Sequence, residues 1–318
     1  MSRFRPTLLA VTVTLFGVLF VIAAFLYRGF GSPRVASALL SDNAVVGIAA
    51  LGEGLVIFTG GLDLSVGAVI GAVSIVTATL IERHGVPPYA AWAIALGGGT
   101  LFGAGMGGLI QAFRMPAFLV TLAGMFLARG IGFWVDTESV GITAPLYARI
   151  SDFGVEVLGF RLTASGIALL GATGVAYAIG HRTRFGRTLI AMGGSESSAL
   201  LMGLPVAGAK VAVYALCGFA AALAGIVGTL YTGSGNPSSG IGLELDAIAI
   251  VVIGGTLLSG GRGHVLGTFF GVLIFGTIQS AILFDGRLSS WWIRIVVGAL
   301  LLVFITLQRL VVTRLARR

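Results

Sequence analysis

The sequence predicts an all-α integral membrane protein with about ten transmembrane helices, built as one membrane domain over residues 1–318. Three observations carry that prediction. Hydrophobic residues make up 57% of the chain, with only twenty basic and twelve acidic residues and a mean hydropathy of +1.03, whereas about a quarter of a soluble domain is charged. The 50 glycines exceed the usual share of about 7% and suit helices that pack closely in lipid. Apolar runs able to cross a hydrocarbon core of about 30 Å recur along the chain, and no stretch carries the polar surface of a separate soluble domain.

The first run, residues 7–27, is uncharged and follows Arg3 and Arg5, which place its start in the cytoplasm. No small-residue cleavage site follows it, so it is expected to stay as a span. Further runs cover 44–59, 64–81, 90–110, 116–135, 162–180, 211–231, 247–258, 265–284 and 291–307. If all cross, both termini and the stretch 181–210 lie inside, and Asp136, Glu138, Asp152 and Glu156 lie outside. Most basic residues then fall inside, among them the C-terminal Arg309, Arg314, Arg317 and Arg318. Two runs are weaker: Glu53 breaks 44–59, and 247–258 has the length of a re-entrant piece. Gly60-Gly-Leu-Asp-Leu-Ser65 and Gly254-Gly-Thr-Leu-Leu-Ser259 echo each other, and short or broken helices are expected at both.

Several chemistries are excluded by what the motifs require. The single lysine, Lys210, stands in no phosphate-binding loop, and no G-x-S-x-G, H-E-x-x-H or C-x-x-C occurs. Cys217 is alone, and His84, His181 and His264 match no zinc spacing. No catalytic residue, metal or cofactor is therefore expected. Gly103-Ala-Gly-Met-Gly-Gly108 matches a dinucleotide fingerprint only formally, since no strand precedes it. With Gly99 and Gly107 it reads as a helix-packing face. Most basic residues sit at span ends, a pattern that fits a lipid surface rather than nucleic acid.

Between 181 and 210 the sequence suggests a short capped helix. Ser195 can cap it, Glu196 suits its positive end, Gly203 can close it and Pro205 stops it. Its Ala199, Leu200 and Met202 have no lipid to face and suit docking into a groove of a partner protein, the alternative being a loop folded on its own chain. Within the spans, Asp63 and Ser65 can cap the next helix or line a path, and a carboxylate at membrane depth is a functional candidate. Glu53 is expected to turn into the bundle, with proton coupling as the rival role. Asn43, Thr121, Glu244 and Asp246 add hydrogen-bonding groups near span ends. Trp134, Trp291 and Trp292 are better placed as interface anchors than as faces that touch a substrate.

The run Thr59-Gly-Gly-Leu-Asp-Leu-Ser-Val-Gly67 resembles the signature of permeases from sugar-importing ATP-binding cassette transporters of the ribose and xylose group. Residues 182–204 resemble their cytoplasmic coupling loop, with Ala191-Met-Gly-Gly194 and Met202-Gly203 as landmarks. Pro116-Ala-Phe-Leu-Val-Thr-Leu-Ala-Gly-Met-Phe126, Gly242-Leu-Glu-Leu-Asp-Ala247 through Ser259-Gly-Gly261, and Leu288-Ser-Ser-Trp-Trp292 resemble more narrowly the second permease of galactofuranose importers. Ser195 stands where the family usually has Asn, and Glu53 where it usually has an uncharged residue.

The resemblance implies a permease, not itself an enzyme, in a bacterial inner membrane. Its implied partners are an ATPase subunit, a second permease chain in a heterodimer and a periplasmic sugar-binding protein. Coupling to the ATPase would fall on Arg184, Gly186, Gly193, Gly194, Ser195, Glu196, Ala199, Met202 and Gly203. Asn43, Glu53, Asp63, Ser65, Thr121, Glu244 and Asp246 are the candidates for the translocation path. The implied cargo is a monosaccharide, galactofuranose first and ribose or another sugar second. The rival class is a proton-coupled transporter using Glu53 or Asp63.

Overall fold

A computed structural model describes residues 7–157, 159–287 and 291–316. Arg3, Arg5, Arg317, Arg318 and Leu288-Ser-Ser290 lie outside the described residues. Among the described residues the chain is helical, with two short antiparallel strand pairs. In order the helices are α1 (Thr7–Leu26), α2 (Pro33–Asp42), α3 (Ala44–Phe58), α4 (Val66–Glu82), α5 (Pro88–Ala112), α6 (Ala117–Val135) and α7 (Pro145–Ser151). They continue as α8 (Ala164–Tyr177), α9 (Arg184–Gly194), α10 (Glu196–Leu201), α11 (Val206–Thr232), α12 (Leu243–Ile253), α13 (Val265–Asp285) and α14 (Trp291–Ala316).

Among the described residues six helical segments are long and apolar enough to cross a membrane alone: those of α1, α5, α6, α8 with the turn that extends it, α11 and α13. A seventh crossing is α2 with α3, bent by 54°. The remaining expected crossings use α4, α12 and the apolar stretch Trp291–Phe304 of α14, which are shorter, so ten is an approximate count. Glu53 does not break 44–59, because α3 runs unbroken through it and the bend lies at Asn43. The stretch 181–210 is also narrower than expected. A π-helical turn, Ala178–Arg182, extends α8, and α11 begins at Val206, so Lys210 belongs to a helix.

The centre of the bundle is α3, in which every residue after Val45 is buried, and α11 packs across α5, α3 and α4. Gly99 and Gly103 of α5 let α11 approach at Gly218 and Tyr214, the close packing that their spacing implies. α11 is 27 residues long, about 40 Å, and separates two ends of the molecule. Near its start Lys210 pairs with Glu196 of α10 (2.6 Å). Near its finish Thr229 bonds Tyr147 of α7 (3.1 Å), which accepts from Trp92 Nε1 (2.8 Å). The α7 end also holds strands β1 (Val140–Gly141), β2 (Gly154–Val157), β3 (Phe160–Thr163) and β4 (Ser234–Gly235), with β1 pairing β4 and β2 pairing β3. The acidic stretch from Asp136 to Glu156 therefore carries strand and helix.

Candidate functional site

Two breaks in the helices meet a third element at the α10 end. α3 stops at Phe58, and the chain runs without helix through Gly60-Gly-Leu-Asp63 before α4 begins. α12 stops at Ile253, and a second non-helical stretch leads to α13. The two are tied by backbone, with the Gly261 N–H donating to the Phe58 carbonyl (3.0 Å). Gly193, near the end of α9, sits against that junction. A Cβ there would collide with Phe58 O and the Gly261 N, so only glycine lets α9 seat on both breaks.

The first break climbs back into the bundle and is held by buried side chains. Glu53 is 0% and Asp63 1% exposed. Glu53 Oε1 accepts the Asp63 N–H (3.1 Å), and Oε2 accepts from Cys217 Sγ (3.8 Å). Asp63 Oδ1 accepts from the N–H (2.9 Å) and hydroxyl (2.6 Å) of Ser65, which closes the turn ahead of α4. The Leu62 carbonyl accepts from Thr121 Oγ1 (3.4 Å) and Tyr214 OH (3.5 Å). Glu53, Asp63, Ser65 and Thr121 are thus one cluster, and non-helical backbone at membrane depth is stable only with such partners.

Asn43, Glu244 and Asp246 lie apart from that cluster, along a segment that enters the bundle from the α7 end. Residues 236–242 are not helical and lie against α4, where the Asn236 N–H donates to Ser74 Oγ (3.1 Å). Arg129 of α6 fixes the segment by donating Nη1 to the carbonyls of Pro237 (2.7 Å) and Ser239 (2.8 Å). Sequence reasoning passed over this residue, although an arginine inside an apolar span is itself a signal. Glu244 packs on Gly67 at the start of α12. Asp246, two residues on, shares a recess with Asn43, whose Nδ2 donates to the Leu39 carbonyl (3.0 Å).

At the opposite end, α9 and α10 occupy the expected coupling loop. Thr183 caps α9 by accepting the Gly186 N–H (3.1 Å), and Ser195 caps α10 by accepting the Ser198 N–H (3.2 Å). Arg184 and Glu196 are exposed, Gly186 packs on the π-helical turn, and Gly203 turns the chain after α10 with φ +75°. Ala199 departs from the expectation that it faces a partner: it is 0% exposed and packed inward. The open apolar face is instead Leu200 (55%), Leu201 (89%) and Met202 (67%). α9 was not foreseen as a helix, though Thr183 ahead of an amphipathic run was its cap signal.

Beside α9, His181 Nε2 accepts the Val265 N–H (3.0 Å) and His264 Nδ1 the Leu266 N–H (3.1 Å), so two stacked imidazoles cap the start of α13. Burial pushes the His264 imidazole below its usual range. Trp134, Trp291 and Trp292 are exposed, and the Arg294 guanidinium stacks over the Trp291 ring (5.6 Å). Among the described residues no group of three or more His, Cys, Asp or Glu forms a metal site.

Residues 35–305 match the family described as the permease component of a branched-chain amino acid transport system. The chain belongs to this family. Among curated relatives, the inner membrane ABC transporter permease protein YjfF of Escherichia coli (strain K12) is 46% identical over 309 residues, 97% of this chain and 93% of the relative. The fructose import permease protein FruG of Bifidobacterium longum is 38% identical over 96% of this chain and 91% of its own length. The ribose import permease protein RbsC of Bacillus subtilis is 36% identical over 92% of this chain and 90% of its own length. No solved structure matches. The permease family accounts for a chain of many spans that holds no ATP-binding motif of its own, and it makes the chain a transport subunit of the inner membrane rather than an enzyme.

Proposed function

We infer that this chain is the permease subunit of an ATP-driven importer and passes a neutral monosaccharide into the cytoplasm. The observation that carries the reading is the seating of Gly193 on both helix breaks, which links the α9–α10 end mechanically to the centre of the bundle. On this reading a partner ATPase grips Leu200, Leu201 and Met202, and Arg184, Ser195 and Glu196 shape that surface. Gly186, Gly194, Ala199 and Gly203 hold α9 and α10 in place behind it. A push on α9 is delivered through Gly193 to the chain around Glu53, Asp63, Ser65 and Thr121.

Sugar import is supported by the names of the relatives, two of which are said to import fructose and ribose. Galactofuranose is the leading cargo, on the resemblance of residues 116–126, 242–261 and 288–292, with ribose or fructose next. A sugar-binding protein on the α7 side and a second permease chain complete the assembly. The rival, proton-coupled transport through Glu53 or Asp63, loses support at Glu53, both of whose oxygens accept bonds that hold the break.

The test is sugar-stimulated ATP hydrolysis by the assembled complex in lipid, with its binding protein, comparing galactofuranose, ribose, fructose and galactopyranose. Stimulation by galactofuranose alone is expected. Stimulation by another sugar would change the cargo, and uptake that follows a proton gradient without any ATPase would replace the mechanism.

A further inference from the structure

The β2–β3 hairpin carries its apolar side chains on the side that the fold leaves open. Its register sets Val155 opposite Leu162 and Glu156 opposite Arg161. Side chains alternate along a strand, so Val155, Phe160 and Leu162 share one face and Glu156, Arg161 and Thr163 the other. Thr163 and Ser41 of α2 bond through their hydroxyls (2.6 Å), and the Ser37 hydroxyl of α2 donates to the Arg161 carbonyl. At the base of the hairpin the polar face is therefore the one turned to the protein. Val155 (43%) and Phe160 (36%) stay exposed, as does Phe153 (52%) just ahead of the hairpin. A lone two-stranded hairpin is marginal in water, and clustered exposed apolar side chains mark a contact surface.

We propose that this apolar face rests in the headgroup zone of the lipid bilayer, at the end of the molecule that carries α7. Two observations choose lipid over a protein partner. The first is continuity: β3 runs directly into α8, whose exposed Ile167, Leu170, Gly171, Gly174 and Val175 recur at helical spacing as one outward stripe of an apolar span. The second is length. Ala164–Arg182 is 19 residues, about 28 Å, against a hydrocarbon core of about 30 Å. With the exposed Arg182, Arg184 and Arg187 held at one boundary, the other boundary falls at the start of α8. That places Val155 and Phe160 at headgroup level, where apolar side chains on one face and charged ones on the other are both accommodated. Seated there, the hairpin braces α2 through Ser37 and Ser41, and with it the bend at Asn43.

The experiment uses nitroxide labels on the full chain, assembled with its partner subunits in lipid vesicles. The single cysteine, Cys217, is 1% exposed, so the unaltered chain serves as the blank. Val155→Cys, Phe160→Cys and, as the contrast on the opposite face, Glu156→Cys are labelled before assembly. Collision rates are then compared for oxygen, which concentrates in lipid, and for a water-soluble nickel chelate. The ratio of oxygen to chelate collisions is expected to be about fivefold higher at Val155→Cys and Phe160→Cys than at Glu156→Cys, and to stay so when loaded binding protein is added. Val155→Cys and Phe160→Cys read the same face independently, so misassembly of one variant leaves the other. Equal ratios at the three positions would show that no side of the hairpin faces lipid and would overturn the proposal. Protection of the apolar face from both reagents, in the assembled complex or only after binding protein is added, would give that face to a protein partner and overturn it equally.

Discussion

The two helix breaks carry the same Gly-Gly-x-x-x-Ser pattern, yet they are held in different ways. After α3 the chain turns upward, and Ser65 at its end is 1% exposed. Around Asp63 and Ser65 the break is buried, and side chains from three helices supply its partners: Glu53, Thr121 and Tyr214. After α12 the corresponding Ser259 is exposed. There the chain bonds mainly to itself, Leu257 N–H to the Arg262 carbonyl (3.0 Å) and Gly260 N–H to the Leu257 carbonyl (2.9 Å), before two histidines cap α13. A shared sequence pattern therefore specifies where a helix stops. What the chain meets after it stops decides which groups hold it.

The largest expected effect breaks what the two breaks have in common. Gly193→Val removes the room that lets α9 touch both, so uptake by the reconstituted complex should fall by two orders of magnitude or more, with insertion into the membrane unchanged. Next is the difference between the breaks. Glu53→Leu strips the acceptor from the buried Asp63 N–H, and should lower unfolding stability in detergent by about 1–3 kcal/mol. Glu53→Gln, which keeps an acceptor, should cost less than half of that. An equal loss in both variants would show that charge, not hydrogen bonding, holds the first break. Arg129→Met should free residues 237–239 and speed hydrogen exchange across 235–242, with little change in exchange around the second break.

The smallest effect concerns the second break and its pH dependence. The His264 imidazole is held below its usual value of about 6.5 by burial, so the unfolded chain binds this proton more readily than the folded one. The stability it contributes is present above about pH 6.5 and is lost as pH falls below it. The melting temperature should thus drop more between pH 7.5 and 5.5 in the wild type than in His264→Asn, whose side chain can cap without titrating. Matching drops would remove the imidazole from the account.

Much of this was legible in the sequence because lipid imposes simple rules. Uncharged runs of the right length marked most spans, and glycines at every fourth position marked the α5 face that meets α11. The capped helix at Ser195 was legible from its cap and stop residues. What escaped depended on contacts distant in sequence. Nothing local shows that Ala199 turns inward while Leu201 points out, since a six-residue helix has too little periodicity to declare a face. Glu53 looked like an interruption because a charge in an apolar run usually is one, and its partner, the Asp63 N–H, lies ten residues on across a break. Arg129 stood in plain view, but its two carbonyl partners lie more than a hundred residues away.

The central claim is that α9 transmits work from a docked ATPase to the broken helices through Gly193. The most direct measurement compares ATP hydrolysis and sugar uptake in complexes carrying wild-type and Gly193→Val chains, with complex assembly measured alongside. The account predicts that the variant assembles and hydrolyses ATP at a rate no longer raised by the loaded binding protein, with uptake abolished. Uptake at the wild-type rate, coupled as before to hydrolysis, would contradict it.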